Sequence, residues 1–471
     1  MNDKPGNYNL LVEEWIPVLM TDGKYRRVGI REALAQAGRI RQLASSNPMD
    51  RVAVLRFLLA LLYWCRGNPP DEGSAIPGDS FPSDWFTKLD DHADCFNLLG
   101  EGKRFYQNRA AQRNRAATDL IQEIPTGNNF WHFRHSIDKQ DGLCPACCAM
   151  GLLRLPLFSV SGLPDLKSGI NGPPPVYVVP WGMSLLETLT ANWSPSRLLG
   201  EPAWTQPDIR PTPGQDVPLL IGLTLLSRRV WLHDPKSSGT CVGCGAVSTA
   251  LVQTCMFQSS GEQKNDRWND PHVVYSSTTP RRASKAADLT AAGKFRMDRP
   301  WPDLLARLVE IGKFGPGDKP TPLLVVGFAT DQAKNIDVWE RVVGVPSSKL
   351  PRDTVASMVL QWQKEGGGLG RRVAGLVRSK VKGTATIAAI RPYVEGRVSS
   401  KAGELIAGGD AAWEEAAREY RPMMEMIGQS LSPGFTVEAV QRRKQIANVL
   451  PDARTRTEAA RKTDRKKGGE K

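Results

Sequence analysis

Up to about residue 350, short strand-like and helix-like patterns of apolar positions are interleaved along the chain; beyond it, only the helical rhythm remains. "NLLVEEWIPVLM" and "KYRRVGI" within 9–30 read as a strand pair around Thr21-Asp22-Gly23, and "REALAQAG" (31–38) as a short helix ending at Gly38. Residues 48–66 predict a longer buried helix, with Asp50 placed to cap it and Gly67, Pro69 and Pro70 to stop it. Further helices are expected over "DWFTKLDDHADCFNLLG" (84–100), "PACCAMGLLRL" (145–155), "SLLETLTANW" and "PDLLARLVEIGKFG" (302–315). "PVYVVPWG" predicts a strand, "PLLIGLTLLSRRVWLH" (218–233) is strand-rich, and "PTPLLVVGFATDQAK" (320–334) reads as a buried strand running into a loop.

After residue 350, "RDTVASMVLQWQKE", "RRVAGLVRSKV", "AGELIAGGDAAWEEAAREYRPMMEMIG" and "TVEAVQRRKQIANVL" repeat apolar residues every three or four positions. That pattern predicts a helical bundle of about 100 residues. The expected organisation is a large mixed α+β domain over 1–350, a helical bundle over 351–460 and a charged, disordered tail over 461–471.

Charge narrows the partners. Sixty-two Lys and Arg against 49 acids give a formal net charge of +13, which favours a polyanion, nucleic acid first; the plainer alternative is a merely basic protein. The most apolar run, 52–65, is broken by Arg56 and is too short to span a bilayer, so no membrane partner is expected. The N-terminus lacks a basic start followed by an apolar run, and eight cysteines in 471 residues are too few for a disulfide scaffold. A reducing cytoplasm is the expected compartment.

The cysteines carry the clearest chemistry. Cys144-Pro-Ala-Cys147 and Cys241-Val-Gly-Cys244 are two Cys-x-x-Cys knuckles, each able to offer two thiolates to one tetrahedral ion. Cys147 and Cys241 stand 94 positions apart (241 − 147), far wider than a local zinc ribbon, so unrelated reduced thiols remain the alternative and His233 a rival ligand. None of the five histidines is followed by x-Glu, and no His-Glu-x-x-His, phosphate-binding loop or Gly-x-Ser-x-Gly occurs. The acids are scattered without a two-metal pairing. Binding is therefore favoured over catalysis.

"NLLVEEWIPV", "LCPAC" followed by "GLPDLKSGINGPPPVYVV", and "HDPKSSGTCVGCG", in that order and spacing, resemble the CasA family, the large subunit of the type I-E CRISPR surveillance complex Cascade. The similarity runs through most of residues 7–350, and the helical end fits that family's C-terminal four-helix bundle.

The resemblance implies a non-catalytic subunit that recognises the protospacer-adjacent motif (PAM) in double-stranded target DNA, starts unwinding for R-loop formation and helps recruit a helicase-nuclease. Its implied partners are target DNA, the guide RNA and the other Cascade subunits: the backbone, small and 5′-handle-binding subunits. It implies one structural zinc on Cys144, Cys147, Cys241 and Cys244. It places a minor-groove loop over Ser161, Gly162, Leu163, Pro164, Asp165, Lys167 and Gly169; a narrow, degenerate groove suits small residues and backbone amides, and Lys167 adds phosphate attraction.

Some relatives in that family carry a nearly pure glycine run where Leu163, Pro164 and Asp165 stand here. The family's groove-reading lysine has no match here; Phe257 to Ser259 occupy its place, with Lys264 nearby. A wedge that parts base pairs falls at Gln332 and Ala333 in "GFATDQAKN", and a target-binding loop at Phe133, Arg134 and Lys139. Arg371, Arg372, Arg378 and Lys380, with Lys382, supply a basic helical face. The rival reading is a standalone zinc-dependent nucleic-acid-binding enzyme or regulator.

Overall fold

In a computed structural model, the structure describes residues 7–70, 78–121, 142–159, 167–172, 174–196, 198–261, 263, 265, 267–273, 275–277, 289–291, 321–331, 334–345, 373, 422, 424–432 and 434–448. The chain divides into two compact units, Met1–Lys294 with Pro322–Val343, and Phe295–Thr321 with Gly344–Lys471.

The first unit mixes helices and strands, as expected. Strand β1 (Tyr8–Asn9) is followed by the hairpin β2 (Ile16–Met20) and β3 (Tyr25–Val28), then α1 (Ile30–Ala35), β4 (Ile40–Leu43) and α2 (Pro48–Arg66). β2 is the centre of an antiparallel sheet ordered β3-β2-β4, and its alternating buried positions, Ile16, Val18 and Met20, face the core. α2 is buried nearly all round, from Met49 to Trp64, so it is the central pillar rather than an amphipathic surface helix. Phe57 packs edge-on against Phe105 and Trp204 at 5.2 and 5.6 Å between ring centres.

Asn47, not Asp50, caps α2: its side chain accepts from the Met49 N–H at 2.9 Å. Asp50 is instead turned inward, accepting from the Ser45 hydroxyl and pairing with buried Arg154. Gly67 closes the helix at φ +85°, where a side chain would be strained.

The 84–100 run, expected as one helix, breaks into 3₁₀ turns (Ser83–Phe86, Ala93–Phe96) around α3 (Lys88–Asp91) and ends in β5 (Asn97–Leu99), which pairs with β1. Packing and strand pairing override its weak helical pattern. β6 (Asn114–Ala116), α4 (Pro145–Phe158), β7 (Tyr177–Pro180) and α5 (Leu185–Asn192) follow. The strand-rich 218–233 segment is half helix: α6 (Leu219–Thr224) precedes β8 (Arg228–Leu232). Next come β9 (Ser237–Thr240), β10 (Val247–Leu251), β11 (Thr254–Ser259), β12 (Tyr275–Ser277) and β13 (Leu289–Ala291). β11 is the middle of a sheet ordered β6-β11-β8. β14 (Thr321–Asp331) pairs with both β7 and β15 (Lys334–Val345), so the expected strand-and-loop becomes two paired strands.

In the second unit the described part is helical residues 424–431 and α7 (Val437–Ala447). Thr436 caps α7 through the Ala439 N–H at 3.2 Å. Gly428 lies against α7, where an added Cβ would sit 3.5 Å from the Arg443 Cα. The remainder of the expected four-helix bundle, and the 461–471 tail, lie outside the described residues. Among those described, no helix is long and apolar enough to cross a membrane.

Candidate metal centre and the adjoining loop stem

Cys144 is the residue on which α4 starts. It is extended (φ −67°, ψ 158°), with Pro145 preset for the first helical turn. Cys147 follows three residues later, on the same face one turn along. Opposite them, Cys241 to Cys244 form the tight connection between β9 and β10, closed by Cys241 N–H to Ala246 O and Gly245 N–H to Cys241 O, both at 2.8 Å.

Two backbone bonds stitch these distant segments together: Leu143 and Val252 exchange N–H···O bonds of 2.9 Å each. Gly142 permits that approach, since a Cβ there would lie 2.8 Å from the Val252 carbonyl oxygen. The Cys144 N–H then donates to the Cys241 Sγ at 3.2 Å.

All four Sγ atoms lie within 4.8 Å of one another, and Cys144 and Cys244 are 3.8 Å apart. A tetrahedral ion with metal–sulfur bonds of about 2.3 Å places its ligands roughly 3.8 Å apart, so the donor set fits such an ion. Cys144 and Cys241 are buried, Cys147 is half-buried and Cys244 forms the exposed rim.

Hydrogen bonds among the thiols split their acidities. Those from Cys144 and Cys147 lower both Cys241 and Cys244, while Cys144 and Cys147 are raised. Arg27 of β3 is partly desolvated, which lowers its pKa, but its hydrogen bond to Cys244 and the neighbouring sulfurs outweigh burial and raise it. The cluster is thus set against a permanent cation from the N-terminal hairpin.

His233, the rival ligand, is not in the cluster; its Nδ1 bonds the Thr254 hydroxyl at 2.8 Å. Cys148 and Cys255 are likewise separate. Burial raises both, Cys255 to about 12, which keeps them as neutral core thiols.

Of the groove-loop positions, Lys167 and Gly169 are described. Lys167 is exposed; its N–H donates to the Ser259 hydroxyl at 3.4 Å and its carbonyl accepts from Arg228 at 2.6 Å. Gly169 is buried in a bridge to Gly172, and a Cβ on it would lie 2.9 Å from the Pro156 carbonyl oxygen. Asn171 donates to Asp270 at 2.9 Å. Phe257 is half-buried against the core and Ser259 ends β11 beside Lys167.

Ser161, Gly162, Leu163, Pro164 and Asp165, the pair Gln332 and Ala333, the loop residues Phe133, Arg134 and Lys139, Lys264, and Arg371, Arg372, Arg378, Lys380 and Lys382 all lie outside the described residues. Sequence reasoning missed Ser227, Arg228, Arg56 and Asp270 around the stem; a buried arginine in "SRRV" or "VLRF" looks like any surface arginine in sequence.

The family model for CRISPR-associated protein Cse1 matches residues 9–453. The CasA/Cse1 protein of Thermus thermophilus is 29% identical over 223 residues, which span 43% of this chain and 43% of that relative's length. The solved Thermus thermophilus CasA (Cse1) superposes with a TM-score of 0.71 at 19% identity, covering 94% of this chain and 98% of that one. Cse1 from Acidimicrobium ferrooxidans gives 0.67 at 19% identity over 97% and 99%. A chain of a CRISPR RNA-guided surveillance complex gives 0.66 at 14% identity over 94% and 99%.

Proposed function

Because this chain belongs to the CRISPR-associated protein Cse1 family, we propose that it is the subunit of an RNA-guided Cascade complex that recognises the PAM in double-stranded target DNA. The observation that carries this reading is the match of the Cse1 family model to residues 9–453, and the four-thiolate centre fits it as a structural element. Four sulfurs around one ion leave no open position, so the centre is structural rather than catalytic. The ion that suits four thiolates in this geometry is zinc, and zinc held by Cys144, Cys147, Cys241 and Cys244 supplies folding energy, not reactivity. No enzyme activity is proposed for the chain.

The protein's own residues then do the recognition. The thiols join α4 to the β9–β10 connection, and the chain continues from there into β11. Lys167 and Gly169 stand at the far end of β11. We assign Ser161–Gly169 to the minor groove, where small residues and backbone amides approach base edges that side chains reach poorly. Lys167 attracts phosphate. Asp165 faces repulsion there unless it accepts from a base amino group.

Gln332 and Ala333 are assigned to the strand-parting wedge, Phe133, Arg134 and Lys139 to target binding, and Arg371, Arg372, Arg378 and Lys380 to a basic face along the DNA path. In this reading the C-terminal residues 351–460 form a four-helix bundle, the complex also holds guide RNA and the backbone, small and 5′-handle-binding subunits, a helicase-nuclease is recruited to it, and the compartment is the cytoplasm.

The test is target-duplex binding by the guide-RNA complex with and without this chain, over a randomised PAM at fixed salt. PAM-dependent binding that requires the chain, and weakens on changing Gln332 or the 161–169 loop, is the expected result. Binding indifferent to the chain overturns the assignment.

A further inference from the structure

Lys167 has both sides of its backbone held by one cross-strand pair. Arg228 opens β8 and Ser259 closes β11, and the two stand opposite each other in register. Arg228 Nη1 donates to the Lys167 carbonyl at 2.6 Å, and the Ser259 hydroxyl accepts from the Lys167 N–H at 3.4 Å. Arg228 is only 3% exposed, and the same Nη1 also reaches the Ser227 carbonyl at 2.9 Å.

The grip extends one residue back. The Ser227 and Ser159 hydroxyls are 2.5 Å apart, and both reach the Leu155 carbonyl, at 2.6 and 2.5 Å. So Ser159 and Lys167, the described residues on either side of 160–166, are held by the consecutive residues Ser227 and Arg228. Downstream, Asn171 is tied to Asp270 at 2.9 Å.

A lysine side chain is a flexible four-carbon stem, so the reach of its charge is set by where its backbone is fixed. Groove reading by backbone needs placement to about half an ångström. A buried guanidinium on a carbonyl is a stiff, charge-assisted anchor suited to that task.

We propose that Arg228 and Ser259 are positioning residues that fix the Lys167 backbone, and thereby set how strongly the complex distinguishes a PAM-bearing duplex from one without. This rests on the reading that the Ser161–Gly169 segment contacts DNA. In this proposal Arg228 and Ser259 act through the Lys167 backbone.

The experiment uses the full chain assembled with the guide-RNA complex. Affinity is measured for a PAM-bearing duplex, a PAM-less duplex and a single strand complementary to the guide, at one salt concentration. Arg228→Met is expected to lower the duplex discrimination ratio about tenfold, the size of one lost charged hydrogen bond. Arg228→Lys is expected to fall between it and wild type, and Ser259→Ala to lower the ratio about threefold. Single-strand binding and metal content stay at wild-type levels in all three.

Ser259 is half-buried at the end of β11 and its hydroxyl is small, so its alanine variant decides the matter if Arg228→Met fails to fold. A wild-type ratio in Ser259→Ala, or in a folded Arg228→Met, overturns the inference. A wild-type chain that confers no discrimination, with Lys167→Ala no different from it, overturns the underlying DNA reading instead and this inference with it.

Discussion

Arg56 and Asp270, 214 positions apart, form a two-pronged ion pair in the interior: Nη1 to Oδ1 is 2.6 Å and Nη2 to Oδ2 is 2.9 Å. Their side chains are 3% and 0% exposed. Arg56 Nη1 also approaches His272 Nδ1 at 2.8 Å; a guanidinium only donates, so that nitrogen accepts and the ring is neutral. The Arg56 guanidinium lies 5.2 Å from the centre of the Tyr177 ring, and Asn171 donates to Asp270. One pair thus joins α2, β7 and the stem that follows Lys167.

Breaking this pair from one side strands a charge in the core. Arg56→Met is expected to destabilise the first unit by about 3–5 kcal/mol. Arg56→Met with Asp270→Leu should cost markedly less, because no buried charge is left alone. Urea melts of the two singles and the double, analysed as a double-mutant cycle, check this; equal cost in the double and the worse single refutes it.

Acid should erase the same contribution. Burial pushes the Asp270 carboxyl up, but the Arg56 charge and hydrogen bond, with the hydrogen bond from Asn171, overrule it and hold the group at about 2. A depressed carboxylate stabilises fully above its unfolded value, about 3.9, and loses that stability as pH falls through its folded value. The shift corresponds to roughly 2 kcal/mol. The stability gap between wild type and Asp270→Asn should therefore be constant above about pH 5, narrow between pH 4 and 2, and be measurable in denaturant melts across that range.

Metal removal gives a separate signature. If the centre holds the proposed zinc, elemental analysis should find one equivalent in the wild type and none in Cys144→Ser, Cys147→Ser, Cys241→Ser or Cys244→Ser, and each variant should lower the melting temperature of the first unit. Structural thiolate sites bind with on the order of 10 kcal/mol, so the loss should be several kcal/mol even if three ligands persist. Cys148→Ser and Cys255→Ser lie outside the cluster and should keep the metal. Affinity should fall on acidification, because protons compete for the thiolates.

The legible parts of the chain were those with short-range signals. The knuckles were readable because two Cys-x-x-Cys spacings carry their own geometry, and α2 because an apolar run between Asn47 and Gly67 has few other uses. That the knuckles meet across 94 positions was not readable from spacing; it depends on Leu143 pairing with Val252, a contact with no local mark. β9, β10 and β11 escaped notice because half-exposed strands such as Ser237–Thr240 have little apolar alternation. Asp50 was misread as a cap because its partner, Arg154, is distant in sequence. The stem around Lys167 was hidden for the same reason: Ser227, Arg228 and Ser259 acquire their meaning only from chain segments far away.

The close approaches of glycine permit one further test of the coupling between the thiol cluster and the stem. An alanine Cβ at Gly142 would meet the Val252 carbonyl oxygen at 2.8 Å, and one at Gly169 would meet the Pro156 carbonyl oxygen at 2.9 Å. Both obstacles are backbone, so neither can swing aside, and each substitution should cost about 1–3 kcal/mol. The consequences should differ. Gly142→Ala pries the Leu143–Val252 bridge apart and should weaken metal retention in a chelator competition. Gly169→Ala displaces the stem two residues after Lys167 while leaving the four sulfurs together, so it should keep its metal and lose PAM discrimination. Measuring chelator resistance and duplex discrimination on both variants separates the two effects; metal loss in Gly169→Ala would show that stem and centre are one mechanical unit rather than two.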